Sequence, residues 1–367
     1  MNLVCEKSKC SGCMACVDIC PKNAVRIEDT IREYNAVIDS DLCVNCGACH
    51  KVCQQNNPPE FRKPILWKQG WAEDSAVRAA SSSGGFAAAL ELAFVRSGGI
   101  VCSCAHVGDD YGFIFAHSED EVKRFAGSKY VKSNPAGAYK EIAKLLKSGS
   151  KVLFVGLPCQ AAAARNYTRD HENLYTVDLI CHGSPSPKVL ASFLEDYNMK
   201  ISDLGCAQFR DGTKYRIKST EKPFNVPAIT DTYTKAFLSG TSFTENCYSC
   251  KYARVERVSD ITIGDSWGSE LGSEQMRAGI SLALCQTEKG ISLLNNSGLC
   301  LFDVDLDHAV SCNHQLESPS KPSPQREMFI SGMESGEKFK KVAGKCFPTQ
   351  NLKNKIKRVL YVLHIKR

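Results

Sequence analysis

Residues 9–21, KCSGCMACVDICP, decide the fold of the N-terminal part of the chain. The stretch contains four cysteines in the spacing C-x2-C-x2-C-x3-C, followed by a proline: Cys10, Cys13, Cys16 and Cys20. The same spacing returns 33 positions later, at Cys43, Cys46, Cys49 and Cys53. A repeat with one constant offset indicates an internal duplication.

This spacing is typical of bacterial ferredoxins, in which the fourth cysteine of each run ligates the cluster of the other run. We therefore expect two [4Fe–4S] clusters. Gly12 and Gly47 allow the tight, positive-φ backbone that wraps a cluster. Zinc also takes four thiolates, but rarely in two interlocked runs of this kind. The first predicted set is Cys10, Cys13, Cys16 and Cys53, and the second is Cys43, Cys46, Cys49 and Cys20.

Two residues stand outside the repeated pattern. Gln54 replaces the proline expected after Cys53, which weakens the second run without removing a ligand. Cys5 lies before the first run, and we interpret it as a packing cysteine.

The composition excludes several classes of protein. Twenty cysteines would suit a disulfide-rich secreted domain, but such domains are small, whereas 367 residues that are 43% hydrophobic can build a core. The first residues lack the apolar stretch of a signal peptide, and no apolar run is long enough to span a bilayer. The net charge of +6 is spread along the chain, so nucleic acid is not an expected partner. We expect a reducing, cytoplasmic location.

The polar, proline-rich stretch QQNNPPEFRKP (54–64) predicts a boundary between domains. An α+β ferredoxin-type domain is predicted for residues 1–60. An α/β domain is predicted for residues 65–330, because apolar runs there alternate with helix-like segments. A basic amphipathic tail follows at residues 331–367.

Two segments of the second domain have the pattern of a strand, a loop and a helix. In KVLFVGLPCQAAAAR, Cys159 is expected on the turn between the strand and an alanine-rich helix. In LYTVDLICHGSPS, the strand is expected to run to Ile180, with Cys181 and His182 at its end and a helix starting at Ser186-Pro187. Such apolar strands predict a parallel sheet, whose ligands bind beyond the carboxyl ends of the strands.

A third set of four thiolates can be assembled at this edge. Cys247 and Cys250 form a C-x2-C pair just before the strand-like segment DITIGD. Together with Cys159 and Cys181 they give the number of ligands that a further [4Fe–4S] cluster requires. The alternative is that these cysteines are small buried hydrophobic residues. The other eight cysteines follow no pattern.

The stretch ASSSGGFAAALELAFVRSGG predicts a loop that leads into a helix. Ser82 or Ser83 can cap the helix, and Gly98 can end it. Gly84 and Gly85 leave backbone N–H groups free, which suits a phosphate, although serine-glycine caps are common without one.

Several of these motifs, in this order, resemble the coenzyme F420 hydrogenase/dehydrogenase beta-subunit family. They are SSSGGF, GSKYVKS, GLPCQ, DLICHGSPS, NCYSCKYA and DITIGDSWG, and the resemblance runs from about residue 70 to 330. It implies an FAD-binding domain with an adjacent [4Fe–4S] cluster that passes electrons between iron–sulfur centres and an organic acceptor. Relatives include beta subunits of formate dehydrogenase and a plant 7-hydroxymethyl chlorophyll a reductase. Ser266 stands where the family usually has an aromatic residue before tryptophan.

The resemblance also implies roles for individual residues. Lys129 and His182 are the candidate catalytic residues, Lys129 to neutralise a phosphate or polarise the flavin ring and His182 to carry a proton. The alternatives are a solvated surface lysine and a core histidine. Asp265 is implied to orient a ligand, although an aspartate at a strand end is often a cap. The implied flavin contacts are Ser82, Ser83, Gly84, Gly85, Lys129, Tyr130, Ser133, Gln160 and Asp265.

The function expected from the sequence is that of an iron–sulfur flavoprotein oxidoreductase. Ferredoxin-type clusters, fed by a redox partner protein or a ferredoxin-like donor, would pass electrons through a third cluster to FAD. The acceptor would be deazaflavin F420 or another small molecule. The alternative is a non-catalytic electron-transfer subunit of a larger redox complex.

The C-terminal stretch NLKNKIKRVLYVLHIKR combines apolar residues at helical spacing with six cations and no acidic residue. It suits a helix on an anionic membrane surface, at the inner face of the membrane. The alternative is an amphipathic helix packed on its own domain or on a partner. We expect at most weak, salt-sensitive membrane contact. The apolar positions are Ile356, Val359, Leu360, Val362 and Leu363, and the cations are Lys353, Lys355, Lys357, Arg358, Lys366 and Arg367.

Overall fold

The structure is a computed structural model that describes residues 2–205, 207–211, 214–219 and 229–362. The strands are β1 (Asn2–Leu3), β2 (Val25–Asp29), β3 (Tyr34–Ile38), β4 (Leu66–Ala72), β5 (Ile100–Val107), β6 (Asp110–Ala116), β7 (Val152–Gly156), β8 (Leu174–Leu179), β9 (Gln208–Asp211), β10 (Lys214–Lys218), β11 (Ile261–Asp265), β12 (Ser281–Cys285) and β13 (Leu299–Phe302). The helices are α1 (Ala15–Ile19), α2 (Ala48–Val52), α3 (Ser75–Ala80), α4 (Phe86–Arg96), α5 (Glu119–Val122), α6 (Ala138–Lys147), α7 (Pro158–Thr168), α8 (Pro187–Glu195), α9 (Thr232–Leu238), α10 (Ser273–Ala278), α11 (Glu288–Asn295), α12 (Leu306–Ser311), α13 (Arg326–Glu334), α14 (Phe339–Cys346) and α15 (Pro348–Val362).

The duplication predicted from the cysteine spacing is present in the backbone. Helices α1 and α2 begin and end 33 residues apart, and the residues before them, Met14 and Gly47, both have positive φ (63° and 72°). Gly12 (φ 65°) likewise matches Asn45 (φ 54°). A three-stranded antiparallel sheet in the order β1-β3-β2 packs beside the two helices. The two halves therefore wrap their cysteines in the same way.

The large sheet has eight strands in the order β13-β4-β12-β11-β8-β7-β5-β6. The four strands β5, β7, β8 and β11 are parallel. The strands on either side of them pair antiparallel. The predicted parallel strands thus form the centre of a larger mixed sheet. Strand β4 joins this sheet by pairing with β12 and β13, which lie more than 200 residues further along the chain.

The helix starts agree with the sequence predictions in part. Helix α7 begins at Pro158, so Cys159 lies in its first turn and not on the preceding loop. Helix α8 starts at Pro187 as predicted, with the Ser186 hydroxyl accepting the Lys188 N–H. The cap of α4 is Gly85 (φ 89°), and neither Ser82 nor Ser83 caps this helix. Gly98 (φ 82°) follows the end of α4 as expected.

The ferredoxin-type unit is packed directly on the large domain. The carboxylate of Asp18, on α1, accepts hydrogen bonds from the N–H groups of Gly137 (2.6 Å) and Tyr139 (3.1 Å) at the start of α6. The buried Tyr139 hydroxyl donates to the carbonyl of Cys13 at 2.8 Å. Helix α6 therefore holds the first cysteine run against the large domain.

Residues 348–362 form helix α15, where the sequence predicts a helix, and one residue separates it from α14. Asn354 on this helix is buried and donates from Nδ2 to the carbonyl of Thr230 at 3.1 Å. The apolar residues Leu352, Ile356 and Val359 are exposed. Leu363, Lys366 and Arg367 lie outside the described residues. Across the described ranges, none of the helices has the length and apolar character needed to cross a membrane.

Candidate functional site

Two small cavities in the ferredoxin-type unit are lined by the two predicted cysteine sets. The first cavity is lined by Cys10, Cys13, Cys16 and Cys53, and the second by Cys20, Cys43, Cys46 and Cys49. The fourth cysteine of each run thus lies at the cavity of the other run. The cysteines of the described residues are all free. Within the described part of the chain, no group of three or more acidic, histidine or cysteine side chains is as tightly gathered as the ligands of a single metal ion.

Backbone N–H groups point at the cysteine sulfurs in both halves. Ala36 N–H donates to Cys10 Sγ at 3.3 Å, and Ala24 N–H donates to Cys20 Sγ at 3.2 Å. Hydrogen bonds of this kind stabilise thiolates and raise cluster potentials. The four cysteines of the first set are buried, whereas Cys46 of the second is exposed. The donor set therefore fits iron–sulfur clusters, one enclosed and one near the surface.

Cys5 lies beside the first cavity rather than in remote packing. Its side chain lines that cavity and is hydrogen-bonded to Cys10 and Cys53, which lowers the pKa of both thiols. Cys5 is not part of either repeated run, so the spacing of the cysteines could not have placed it there.

The four cysteines of the predicted third set approach one another in the structure. The thiols of Cys247 and Cys250 act electrostatically on Cys181, and those of Cys250 and Cys181 act on Cys159. Desolvation raises the pKa of Cys181 to about 12, with the neighbouring thiols adding to the rise. The four cysteines come from three elements. Cys159 lies at the start of α7, Cys181 follows the end of β8, and Cys247 and Cys250 lie in and just after the short helical turn Glu245–Ser249.

The third set adjoins the first ferredoxin cavity. Desolvation is the main cause that raises the pKa of Cys159, and the charge of Lys132 opposes it. Cys250 and then Cys13 add to the rise. Tyr252, two residues after Cys250, is buried between the third cysteine set and the first ferredoxin cavity. Its hydroxyl donates a hydrogen bond to Oε1 of Gln54, the residue after Cys53. The Lys251 ammonium donates to the carbonyls of Gln54 and Gln55, both at 3.0 Å.

A larger cavity of about 310 Å³ lies on the other side of the third set. It sits beyond the carboxyl ends of β7, β8 and β11, at the edge where the sequence predicts ligand binding. Its volume is at the lower end of the range for small-molecule sites. The predicted residues that line it are Ser82, Ser83, Gly85, Lys129, Tyr130, Ser133, Cys181, His182 and Asp265.

The start of α4 opens into this cavity. Helix α4 has no side-chain cap, and its first residues, Phe86 to Ala88, line the cavity. Ser82 Oγ accepts the N–H of Ser128, and Ser83 Oγ donates to the carbonyl of Ile280. An uncapped helix start offers N–H groups to an anion.

Two predicted flavin contacts occupy other positions. Gly84 packs between strands, since a Cβ there would lie 2.4 Å from the carbonyl oxygen of Gly70. Gln160 is buried, and its Nε2 donates to Ser133 Oγ at 3.0 Å. Gln160 thus holds a residue of the cavity wall.

Lys129 and His182 have defined partners. Lys129 Nζ donates to the carbonyls of Phe125 (2.5 Å) and Ala126 (3.3 Å). His182 Nδ1 lies 2.8 Å from Gln315 Nε2. Desolvation and then the neighbouring His314 lower the pKa of His182, so this imidazole is neutral at neutral pH. With Nδ1 accepting from the amide, the proton of the neutral ring resides on Nε2.

Asp265 holds an arginine that sequence reasoning missed. Arg210 Nη1 donates to both carboxylate oxygens of Asp265 at 2.8 Å. The guanidinium lies 5.2 Å from the ring of Tyr215 and 5.5 Å from that of Trp267, and all four residues line the cavity. Ser266, the departure from the family pattern, is buried and donates to Gln69 Oε1 at 2.9 Å.

Glu91 is a second residue that sequence reasoning missed. It is 3% exposed, lies on the second turn of α4 and lines the cavity. Burial raises the pKa of Glu91 to about 7, against the opposing effects of a hydrogen bond from Ser103 and the charge of Lys129. A carboxyl group with this pKa can exchange a proton near neutral pH. The sequence signal that could have identified Glu91 is its position as the one acidic residue in the otherwise apolar helix segment FAAALELAFV.

Comparisons with known proteins agree with this geometry. Residues 9–57 match a family described as a 4Fe-4S dicluster domain. Residues 149–298 match a family described as the C terminus of the beta subunit of coenzyme F420 hydrogenase/dehydrogenase. No curated protein matches the chain. By these matches, a region similar to an iron–sulfur dicluster domain precedes a region similar to the beta subunit of F420 hydrogenase/dehydrogenase, and at a coarse level they support an oxidoreductase.

A solved structure has a similar fold. It is a chain of the F420-reducing [NiFe] hydrogenase complex from Methanosarcina barkeri, studied by xenon derivatization. The TM-score is 0.50 and the identity 18%, with 80% of this chain and 92% of that chain covered. At this identity the likeness shows the fold alone.

Proposed function

We propose that this chain is an iron–sulfur flavoprotein oxidoreductase with three [4Fe–4S] clusters and one FAD. The observation that carries the proposal is the position of the third cysteine set. Cys159 lies within electrostatic reach of Cys13 on one side, and Cys181 lines the large cavity on the other. A cluster here would join the ferredoxin-type unit to a ligand site.

The lining of the large cavity supports the proposal of a bound flavin. The uncapped start of α4 suits a phosphate, and aromatic residues supply walls for a planar ring: Phe125, Tyr130, Tyr215, Phe237 and Trp267. A bound flavin supplies the step between one-electron carriers and a two-electron acceptor. Glu91 is placed to give or take the proton that accompanies reduction. Lys129 supplies positive charge, and neutral His182 can hydrogen-bond from Nε2.

The burial of the cysteine side chains supports an order of electron flow. The second ferredoxin site, with exposed Cys46, faces solvent, and the first is enclosed beside the third set. Electrons from a protein donor would enter at the second site and pass through the first and the third to the cavity. The acceptor would be deazaflavin F420 or another small organic molecule.

A non-catalytic role is the second candidate. The structurally similar chain comes from a hydrogenase complex, so this chain would then relay electrons to a partner that carries the substrate site. Turnover distinguishes the two candidates. An isolated chain that oxidises a reduced viologen dye and reduces F420 or another acceptor is the enzyme itself.

Cofactor content tests the proposal most directly. Anaerobically purified or reconstituted protein should contain about twelve iron atoms and one FAD per chain. About eight iron atoms with flavin would remove the third cluster, and roughly four or fewer would overturn the ferredoxin sites.

A further inference from the structure

Lys132 is a buried lysine that faces away from the large cavity. It belongs to the segment GSKYVKS, whose residues Lys129, Tyr130, Val131 and Ser133 line that cavity, whereas Lys132 does not. Only 5% of Lys132 is exposed. Its backbone N–H donates to the carbonyl of Pro185 at 2.9 Å, which fixes the segment beside the loop that follows Cys181.

The ammonium group lies at the junction of two cysteine sites. Lys132 Nζ donates to Ser184 Oγ at 3.4 Å, and Ser184 is three residues after Cys181. Nζ also lies 5.9 Å from the ring of Tyr34. That ring covers Gly12 in the first cysteine run, since a Cβ on Gly12 would be 2.3 Å from Tyr34 Cδ1.

A buried ammonium requires a compensating negative charge, because its removal from water is strongly unfavourable. Among the described residues, no carboxylate forms an ion pair with Lys132. The sulfurs within its electrostatic reach are those of Cys159 and Cys181, which become thiolates when they ligate a cluster. Desolvation raises the pKa of Cys159 and of Cys181, and the charge of Lys132 opposes the rise at both thiols.

A [4Fe–4S] cluster held by four thiolates is negatively charged and becomes more so on reduction. A nearby fixed cation therefore stabilises the reduced cluster more than the oxidised one and raises its reduction potential. This effect is largest where water is excluded, as around Lys132.

We propose that Lys132 is the charge-compensating residue of the third cluster and sets its reduction potential, so that this cluster accepts electrons from the first ferredoxin cluster. The inference rests on the proposed function, because it requires a cluster at Cys159, Cys181, Cys247 and Cys250. It identifies Lys132 as a positioning and tuning residue, which touches no substrate.

The test compares Lys132→Met, Lys132→Arg and the wild-type chain, with Lys188→Met as the control. Lys188 is an exposed lysine on α8 whose Nζ donates to the carbonyl of Asp29. Iron content and an EPR-monitored redox titration are measured for each. The methionine variant should keep its iron and shift the third-cluster potential to a more negative value, with the ferredoxin potentials nearly unchanged. A tenfold change in the reduction equilibrium corresponds to about 59 mV. The arginine variant keeps the positive charge, so its third-cluster potential should lie close to that of the wild type. The Lys188→Met control should show no shift.

The outcomes separate the inference from the function on which it rests. An unchanged third-cluster potential in Lys132→Met overturns the role of Lys132 and leaves the proposed function intact. Loss of the third cluster in Lys132→Met but not in Lys132→Arg supports charge compensation, whereas loss in both indicates packing and overturns it. A wild-type chain without a third cluster overturns both.

Discussion

At the scale of single residues, Gln54 replaces the proline expected after the second cysteine run and forms hydrogen bonds that a proline side chain could not form. The residue is 1% exposed, and its Nε2 donates to Ser11 Oγ at 3.0 Å. Its Oε1 accepts the hydroxyl of Tyr252. A proline at this position would turn the chain but could not join the loop of the first cluster to the residues around Cys250. We interpret Gln54 as a link between the two domains.

Replacing Gln54 by leucine should destabilise the protein. The substitution leaves the buried Tyr252 hydroxyl without its acceptor, and each unsatisfied buried polar group costs about 1–3 kcal/mol. The free energy of unfolding is measured by anaerobic denaturant titration of the cluster-loaded protein. Gln55→Leu, at the half-buried neighbouring position, is the control. Equal losses in the two variants would argue against the link.

Glu91 gives the protein a pH-dependent stability. Its pKa is raised from 4.5 to about 7 in the folded chain, so the folded state binds more protons than the unfolded state between these values. Stability then falls as the pH rises from about 4.5 through 7, by about 3 kcal/mol. Glu91→Gln should remove this loss. The variant should have a higher Tm than the wild type at pH 8 and a similar Tm at pH 5, and parallel Tm curves would contradict the shift.

At the scale of elements, local pattern predicted the centre of the sheet and missed its flanks. The strands β7, β8 and β11 were predicted from their apolar runs, because strands buried on both faces are almost continuously apolar. Strand β4 contains polar residues such as Lys68 and Gln69, and pairs with β12 and β13 from far along the chain. No local pattern encodes such distant pairing.

The exposed apolar face of α15 makes the membrane question testable. Ile356 and Val359 are more than half exposed, so packing on the described part of the domain does not account for them. We expect weak binding to anionic vesicles at low salt, because each cation near such a surface contributes about 1 kcal/mol. Binding should disappear at high salt, on neutral vesicles, and in a chain lacking residues 351–367. Met328→Ser, which alters an exposed apolar residue on α13, is the control in co-sedimentation. An unchanged bound fraction after the deletion would show that the tail is not an anchor.

At the scale of the whole molecule, the positions of cysteines relative to one another could be predicted from the sequence, whereas the charged side chains around them could not. The ferredoxin cysteines follow a fixed spacing, and Cys159 and Cys181 were placed together because parallel strands share an edge. Arg210, Glu91 and Lys132 carry no spacing signal. Their importance arises from burial and from partners such as Asp265, which lies 55 positions from Arg210. Such contacts exist only once the chain is folded.

If the third cysteine set binds one cluster, substitutions at cysteines far apart in the sequence should abolish the same cluster. Cys181→Ser and Cys250→Ser lie on different segments, yet each should abolish the same cluster and lower the iron content by about a third. The ferredoxin EPR signals should remain. Cys312→Ser, a half-buried cysteine outside the three sets, should keep all the iron. Variants that lose different centres would refute the assignment.

The last prediction concerns where electrons enter the molecule. Cys46 is exposed, and Leu42 and Val44 beside it are 51% and 56% exposed, so the second cluster would lie under a surface that a protein donor can approach. Cys46→Ser should therefore slow reduction by a ferredoxin-like protein far more than reduction by dithionite, a small reductant that can reach the other centres. Cys312→Ser is again the control. Stopped-flow bleaching of the iron–sulfur absorbance with the two reductants provides the measurement. An equal slowing with both would place electron input elsewhere, since the loss would then lie within the chain rather than at its surface.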